Sequence, residues 1–214
     1  MSTPQISVLL PTVRPTLVRN CVASISAAAE GLSHEVIVVA DFPPDPDWAM
    51  PLPVRWIVCP RRGPVDAVNM AYRVALGEYL FLCNDESSLE PGALSRLWSA
   101  AVDAPDALLA PEHYPAYRFV YYGKLFVPFP FAHRGVFTKL GGLLDGAYRA
   151  FYADPDLGLR AHAAGVPIRT VEGSVIRHYN GHDEAKQGNV SQYMAMDQAT
   201  FRGRWDHLGA FCDC

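Results

Sequence analysis

Four short apolar runs, Ile6 to Leu10, Glu35 to Ala40, Val54 to Val58 and Tyr79 to Leu82, alternate with helical segments, and that alternation leaves few folds open. Strands joined through helices predict a parallel sheet with crossover connections, the organisation of an α/β domain. The helices are punctuated as their ends require: Thr16 to Ala29 follows Pro15, and Pro64 to Leu76 opens on proline and stops before Gly77. A third helix is expected over Pro91 to Ala101, opened by Pro91.

The fourth run breaks off into Asn84, Asp85 and Glu86, so a buried strand ends in a crowded, exposed acidic tip. Ligands of open α/β sheets gather at the carboxyl ends of the strands. Two hard oxygen ligands there suit Mg²⁺ or Mn²⁺, which prefer carboxylate, water and phosphate oxygens. The tip reads as a metal-diphosphate site.

With 214 residues, half of them hydrophobic, the chain can bury one large core, and a single domain over 1–214 is expected. A net charge of -4 leaves no basic stripe for a nucleic-acid backbone, so the nucleotide implied is a small one. No apolar run has the length of a transmembrane helix, and the first residues lack the pattern of a signal peptide. A soluble, cytoplasmic protein is expected. The five cysteines are an odd number, and three of them, Cys21, Cys59 and Cys83, lie in apolar surroundings, which argues a reducing compartment. Cys212-Asp213-Cys214 reads as a mobile tail, because two thiols are too few for a closed metal site.

The first strand is followed by Leu10-Pro11-Thr12-Val13-Arg14 in place of G-x-G-x-x-G, which disfavours a dinucleotide oxidoreductase. The same stretch lacks the glycine-rich basic loop of a nucleotidyltransferase. Beyond Ala101 the character changes. Pro111 to Phe131 holds four Tyr, four Phe and four Pro, a mixture that predicts an irregular, aromatic-lined wall, either a ligand cover or a core seam under a loop. Val190 to Trp205, with Met194, Met196, Phe201 and Trp205 as apolar anchors, predicts a closing helix in preference to a face for a second copy.

Five ordered segments resemble the family 2 glycosyltransferases: Ile6 to Thr12; Glu35 to Asp41; Gly63 and Asn69 ahead of Gly77 to Leu82 and Asn84-Asp85-Glu86; Phe131 to Gly142; and Phe151 to Arg160 with Arg177-His178-Tyr179-Asn180-Gly181 behind it. The resemblance implies a GT-A fold: a Rossmann-like nucleotide-binding half at 1–90 on a mixed central sheet, fused to a smaller acceptor half at 91–182, with a helical extension at 183–214. It implies an inverting hexosyl transfer from a nucleotide-sugar, UDP- or dTDP-sugar before GDP-sugar, to a hydroxyl acceptor: a glycan, a lipid-linked sugar, a protein or a small molecule. Pro11, Thr12, Arg14, Asp41, Gly63, Asn69, Asn84 and Asp85 are its expected nucleotide contacts.

The chemistry asks for the same residue types. Expelling a nucleoside diphosphate builds charge on the leaving phosphate, which a divalent cation offsets as a Lewis acid. Asp85 and Glu86 are its expected carboxylate ligands, and a neutral His178 the third. The attacking hydroxyl needs a base, and Asp154 is the first choice, placed near a helix N-cap by Pro155. Asp156 is the competitor, able to cap, hold the base or touch the acceptor, with Arg160 at i+4 as a partner. The chain departs from the family pattern at Phe42 to Asp47, at Asn84, at Glu86 and at Ala153. Those departures keep a non-catalytic nucleotide-sugar-binding module in view as the second reading.

Overall fold

The computed structural model describes residues 3–47, 54–116, 119–179, 181 and 183–211. Asn180 and the Cys212 to Cys214 tail lie outside the described residues. In chain order the elements are β1 (Ile6–Thr12), α1 (Pro15–Ala29), β2 (His34–Ala40), β3 (Val54–Val58), α2 (Pro64–Val74), β4 (Tyr79–Leu82), β5 (Ser87–Leu89) and α3 (Ala93–Asp103). They continue with β6 (Leu108–Tyr114), β7 (Val120–Tyr121), β8 (Lys124–Leu125), β9 (Phe131–His133), α4 (Arg134–Lys139), α5 (Ala153–Ala163), β10 (Ile168–His178) and α6 (Glu184–Trp205).

Among the described residues, one mixed sheet runs β3-β2-β1-β4-β9-β6-β10-β5, and β7 pairs with β8 in a separate hairpin. The first four strands are parallel, with helical crossovers from β1 to β2 and from β3 to β4. β9 enters antiparallel between β4 and β6, through Leu80↔Ala132 and Leu109↔Phe131, and joins the two halves of the chain in one sheet.

Alternation along each strand sends side chains to opposite faces. Val8, Leu10, Val36, Val38 and Phe81 pack under α1 and α3, while Leu9, Ile37, Val39, Leu80 and Leu82 pack under α2, α4 and α5. On α1 the buried residues Val18, Cys21, Val22, Ile25, Ala28 and Ala29 recur at helical spacing and form its inner stripe. A third cluster joins Val65, Tyr122, Tyr148, Tyr152 and Phe201, with Met194 and Trp205 against it, so α6 closes over the α2 and α5 side. Met196 does not share in this packing; it is exposed, on the outer side of the helix.

Two further expectations are corrected. The third helix does not open at Pro91: Gly92, at φ 75°, caps α3, and the residues before it form β5. The aromatic wall is less irregular than its prolines suggested, because β6 continues through Tyr114 and the β7–β8 hairpin occupies its centre. Pro115, Pro128 and Pro130 fall outside the strands, and Pro111, inside β6, lies opposite Val171, where the pairing with β10 shifts register.

Gly63 also carries a backbone constraint. It sits at φ 97° before α2, and a Cβ there would lie 2.5 Å from the Arg149 carbonyl oxygen. That carbonyl accepts a hydrogen bond from the Val65 amide, so the start of α2 is fitted directly against the turn that leads into α5.

Candidate active site

The carboxyl ends of β1, β2 and β4, the starts of α2 and α5, and the first half of α6 surround a cavity of about 1130 Å³. Pro11, Thr12, Arg14, Asp41 and Gly63 line it, as do Asn84, Asp85, Glu86, Asp154 and His178. Two expected site residues are absent from its wall. Asn69 donates from Nδ2 to the Leu144 carbonyl at 2.9 Å, clamping α2 to the loop after α4. Asp156 is fully buried, where its carboxylate accepts from Tyr148 Oη (3.2 Å), Arg160 Nε (2.7 Å), Arg204 Nη1 (2.8 Å) and Trp205 Nε1 (3.0 Å). A carboxylate so saturated has no lone pair turned to a substrate. Its place is structural, joining α5 to α6.

At the acidic tip the structure corrects the expectation of exposed carboxylates. Asp85 is buried, accepting from Thr12 Oγ1 at 2.6 Å and from Arg14 Nη1 at 2.9 Å. Arg14 Nη2 lies 2.5 Å from Glu86 Oε1, and its Nε and Nη2 donate to Asp183, the cap of α6. One guanidinium thus sits among three carboxylates. Desolvation raises the Asp85 and Glu86 pKa values, while Arg14 pulls both back. Asp183, partly exposed and held by Arg14, titrates well below the usual carboxylate range. Sequence reading missed Asp183, because its cap position before α6 is legible but its pairing across the chain is not.

β5 explains how His178 arrives. It runs antiparallel to the end of β10, pairing Ser87 with His178, and the Tyr179 amide donates to the Glu86 carbonyl at 2.9 Å. The imidazole then forms part of a directional chain. His113 Nδ1 lies 2.7 Å from the Pro115 carbonyl and therefore carries its proton, which leaves His113 Nε2 to accept from His178 Nδ1 at 3.3 Å. His178 Nε2 keeps its lone pair, 3.1 Å from Asn84 Nδ2 and 3.8 Å from Glu86 Oε2. Burial, helped by nearby His113 and Lys186, lowers the His178 pKa to about 4, so the ring is neutral at physiological pH. A neutral imidazole oriented through its far nitrogen is the form in which histidine binds metals. His113, unforeseen in the sequence, is that orienting partner. Removing the ring also removes packing against Phe129, so His178→Ala is expected to cost about 1–2 kcal/mol in metal-free denaturant unfolding.

The donor set of two carboxylates and one imidazole suits Mn²⁺ or Mg²⁺ by chemistry. Among the described residues, no three His, Cys, Asp or Glu side chains converge closely enough to hold an ion as they stand. Arg14 occupies Glu86 Oε1, which leaves Oε2, on the side of His178, as the oxygen that would meet an ion.

Across the cavity, Tyr152 caps α5 at φ 62°, and Asp154 follows in the first turn. Asp154 is partly reachable from the cavity yet closely surrounded by protein, and desolvation pushes its pKa up to about 6. Such a carboxylate is ionised at neutral pH and more basic than an exposed one. Asp41 stands exposed at the end of β2, on the same wall as Thr12.

The sequence model of glycosyl transferase family 2 matches residues 7–151. A search of curated proteins finds no match. Among solved structures the chain is similar to S. aureus TarS, with a TM-score of 0.63 and 13% identity over 94% of this chain and 43% of that one. It is similar to GalNAc-T7 with UDP, GalNAc and Mn²⁺, with a TM-score of 0.64 and 12% identity over 82% of this chain and 44% of that one. A third likeness is to the catalytic domain of Drosophila beta1,4galactosyltransferase 7 in complex with xylobiose, with a TM-score of 0.59 and 15% identity over 85% and 72%. At these identities the likeness is one of fold, and this chain spans less than half the length of the first two.

Proposed function

The chain belongs to glycosyl transferase family 2 and has the GT-A fold, and from that premise we propose that it is an inverting, metal-assisted transferase moving a hexose from a nucleotide-sugar to a hydroxyl acceptor. We read 1–214 as one domain and UDP- or dTDP-sugars as the donors. The observation that carries the proposal is one cavity with an acidic pole at Asp85, Glu86 and His178 and a separate basic carboxylate, Asp154, on its other wall.

The chain's own residues divide the work. Asp41 and Thr12, at the ends of β2 and β1 on the cavity wall, are the residues proposed to meet the base and ribose. Glu86, Asp85 and His178 are the residues that would hold a divalent ion, Mn²⁺ or Mg²⁺, which when bound offsets the charge of the leaving diphosphate. Arg14 keeps the acidic pole from repelling itself before the donor arrives. Asp154 takes the proton from the acceptor hydroxyl as its oxygen attacks the anomeric carbon and the bond to the diphosphate breaks. A single displacement of this kind inverts the configuration.

Calorimetry with UDP, dTDP and GDP, each with and without Mn²⁺, tests the donor assignment. Glu86→Ala is expected to weaken Mn²⁺-dependent UDP or dTDP binding by roughly 10-fold or more with little change in folding, since Arg14 keeps Asp85 and Asp183 as partners. Asp85→Ala should lose binding too, but also stability, because it strips buried partners from Thr12 and Arg14. Unchanged Mn²⁺-dependent affinity in both variants would remove the metal from the proposal. His178→Ala should lower the same affinity beyond its cost to folding.

A further inference from the structure

Helix α6 lies beyond the residues that the family model matches, yet it grips the turn that carries Asp154. Asp197 is fully buried on its inner side. Its Oδ1 accepts from the Arg149 amide at 3.0 Å, and its Oδ2 accepts from the Ala150 and Phe151 amides, both at 2.8 Å. Three successive amides converging on one carboxylate form an anion nest, which compensates a buried charge without a cation. One residue along the helix, Gln198 Nε2 donates to Tyr152 Oη at 3.0 Å, and a turn further on Phe201 stacks on the Tyr152 ring with centroids 5.1 Å apart.

The gripped segment needs holding. Tyr152 sits at φ 62°, a left-handed conformation that a bulky residue adopts only when its surroundings impose it. Two residues later comes Asp154, on the cavity wall. Released from α6, the Arg149 to Tyr152 backbone would relax toward ordinary dihedrals and swing the Asp154 carboxylate away from its line of attack.

We infer that Asp197 is a positioning residue for catalysis: it fixes the strained turn from α6 and thereby sets where Asp154 meets the acceptor hydroxyl. The inference rests on the reading of Asp154 as the base. Asp197 touches neither substrate nor reacting atoms, and its effect is on the placement of a proton acceptor rather than on donor binding. The nest also explains why an acid, and not an amide, stands at 197: Asn would turn one N–H toward an N–H and lose an acceptor.

The test uses the full chain and UDP release from a UDP-hexose with Mn²⁺, water serving as the acceptor. Asp197→Asn is expected to bind UDP as the wild type does while UDP release falls by roughly 10- to 100-fold, the loss that a displaced catalytic group produces. Amide exchange at Arg149, Ala150 and Phe151 should accelerate in the same variant. Asp197→Glu, which keeps the charge, should recover part of the rate and carries the test if the Asn variant does not fold. Val22→Ala, buried on α1 across the sheet from α5, supplies a destabilised control whose rate should hold. Unchanged exchange at the three amides, or a rate loss no larger than that of Val22→Ala, overturns the inference. Asp154→Asn separates the two failures: if it is inactive while Asp197→Asn works normally, only the positioning role is lost. If Asp154→Asn turns over like the wild type, the base assignment fails and the inference falls with it.

Discussion

Asp154→Asn is expected to cut turnover by roughly 10²-fold or more while leaving the affinity for UDP or dTDP with Mn²⁺ unchanged. Amide and carboxylate are nearly the same shape, so the variant removes basicity and little else. The wild-type rate should follow the ionisation of this group. With a pKa of about 6 the base is ionised above that pH, so turnover should be full near pH 7.5 and fall as pH drops through 6. Stability should move the opposite way. A folded pKa raised above the ordinary 3.8 means that the protonated form suits the folded state better, a benefit complete below 3.8 and lost as pH rises through about 6. Asp154→Asn should therefore match or exceed the wild-type melting temperature at pH 7.5. A wild-type rate in this variant, or a rate profile flat between pH 5 and 7, would exclude Asp154 as the base.

Asp156→Ala is expected to cost about 3 kcal/mol of folding stability, at the lower end of what breaking a buried ion pair costs. Arg160 retains its bonds to the carbonyls of Leu140, Gly142 and Leu143, and Arg204 can turn to solvent and Asp145, so neither charge is wholly stranded. Tyr148 Oη and Trp205 Nε1 lose an acceptor as well. Against a typical total of roughly 5–15 kcal/mol this is a large fraction, and denaturant unfolding reads it directly. The contrast between neighbours is the point of the experiment. Asp154→Asn should lose rate without stability, and Asp156→Ala stability before rate. The reverse pattern would exchange their roles.

The two aspartates also show where sequence reading stops. Both precede Arg160 in the same short segment, and nothing local tells an aspartate that faces a cavity from one two residues on that faces Tyr148 and Trp205. The first half was legible because its signals are local: β4 runs from Tyr79 to Leu82 as the apolar run predicts, and α1 and α2 begin at their prolines. The second half depends on distant pairings. β9 takes its place through contacts with residues some fifty positions earlier, such as Leu80↔Ala132, and no period within Phe131–His133 announces them. Asn69 meets a related limit, since a polar residue on the cavity helix can as readily bind a loop carbonyl as a ligand, and here its Nδ2 donates to Leu144. Asp183, Asp197 and His113 act through partners that only the folded chain brings near.

The distribution of charged partners along the chain bears on how the protein emerges during synthesis. Arg14 meets Asp85 and Glu86 within the first 90 residues, and Asp156 meets Arg160 within a single helix. Each half can thus neutralise its costliest buried acid before the other exists, which removes a reason for a nascent chain to stall or aggregate. Helix α6 then brings Asp183 to Arg14, Arg204 to Asp156, and Asp197 to the backbone amides of 149–151. Its arrival completes the packing around Tyr148 and Tyr152 and the turn ahead of Asp154, so a ribosome-bound chain that stops short of α6 is expected to be catalytically idle.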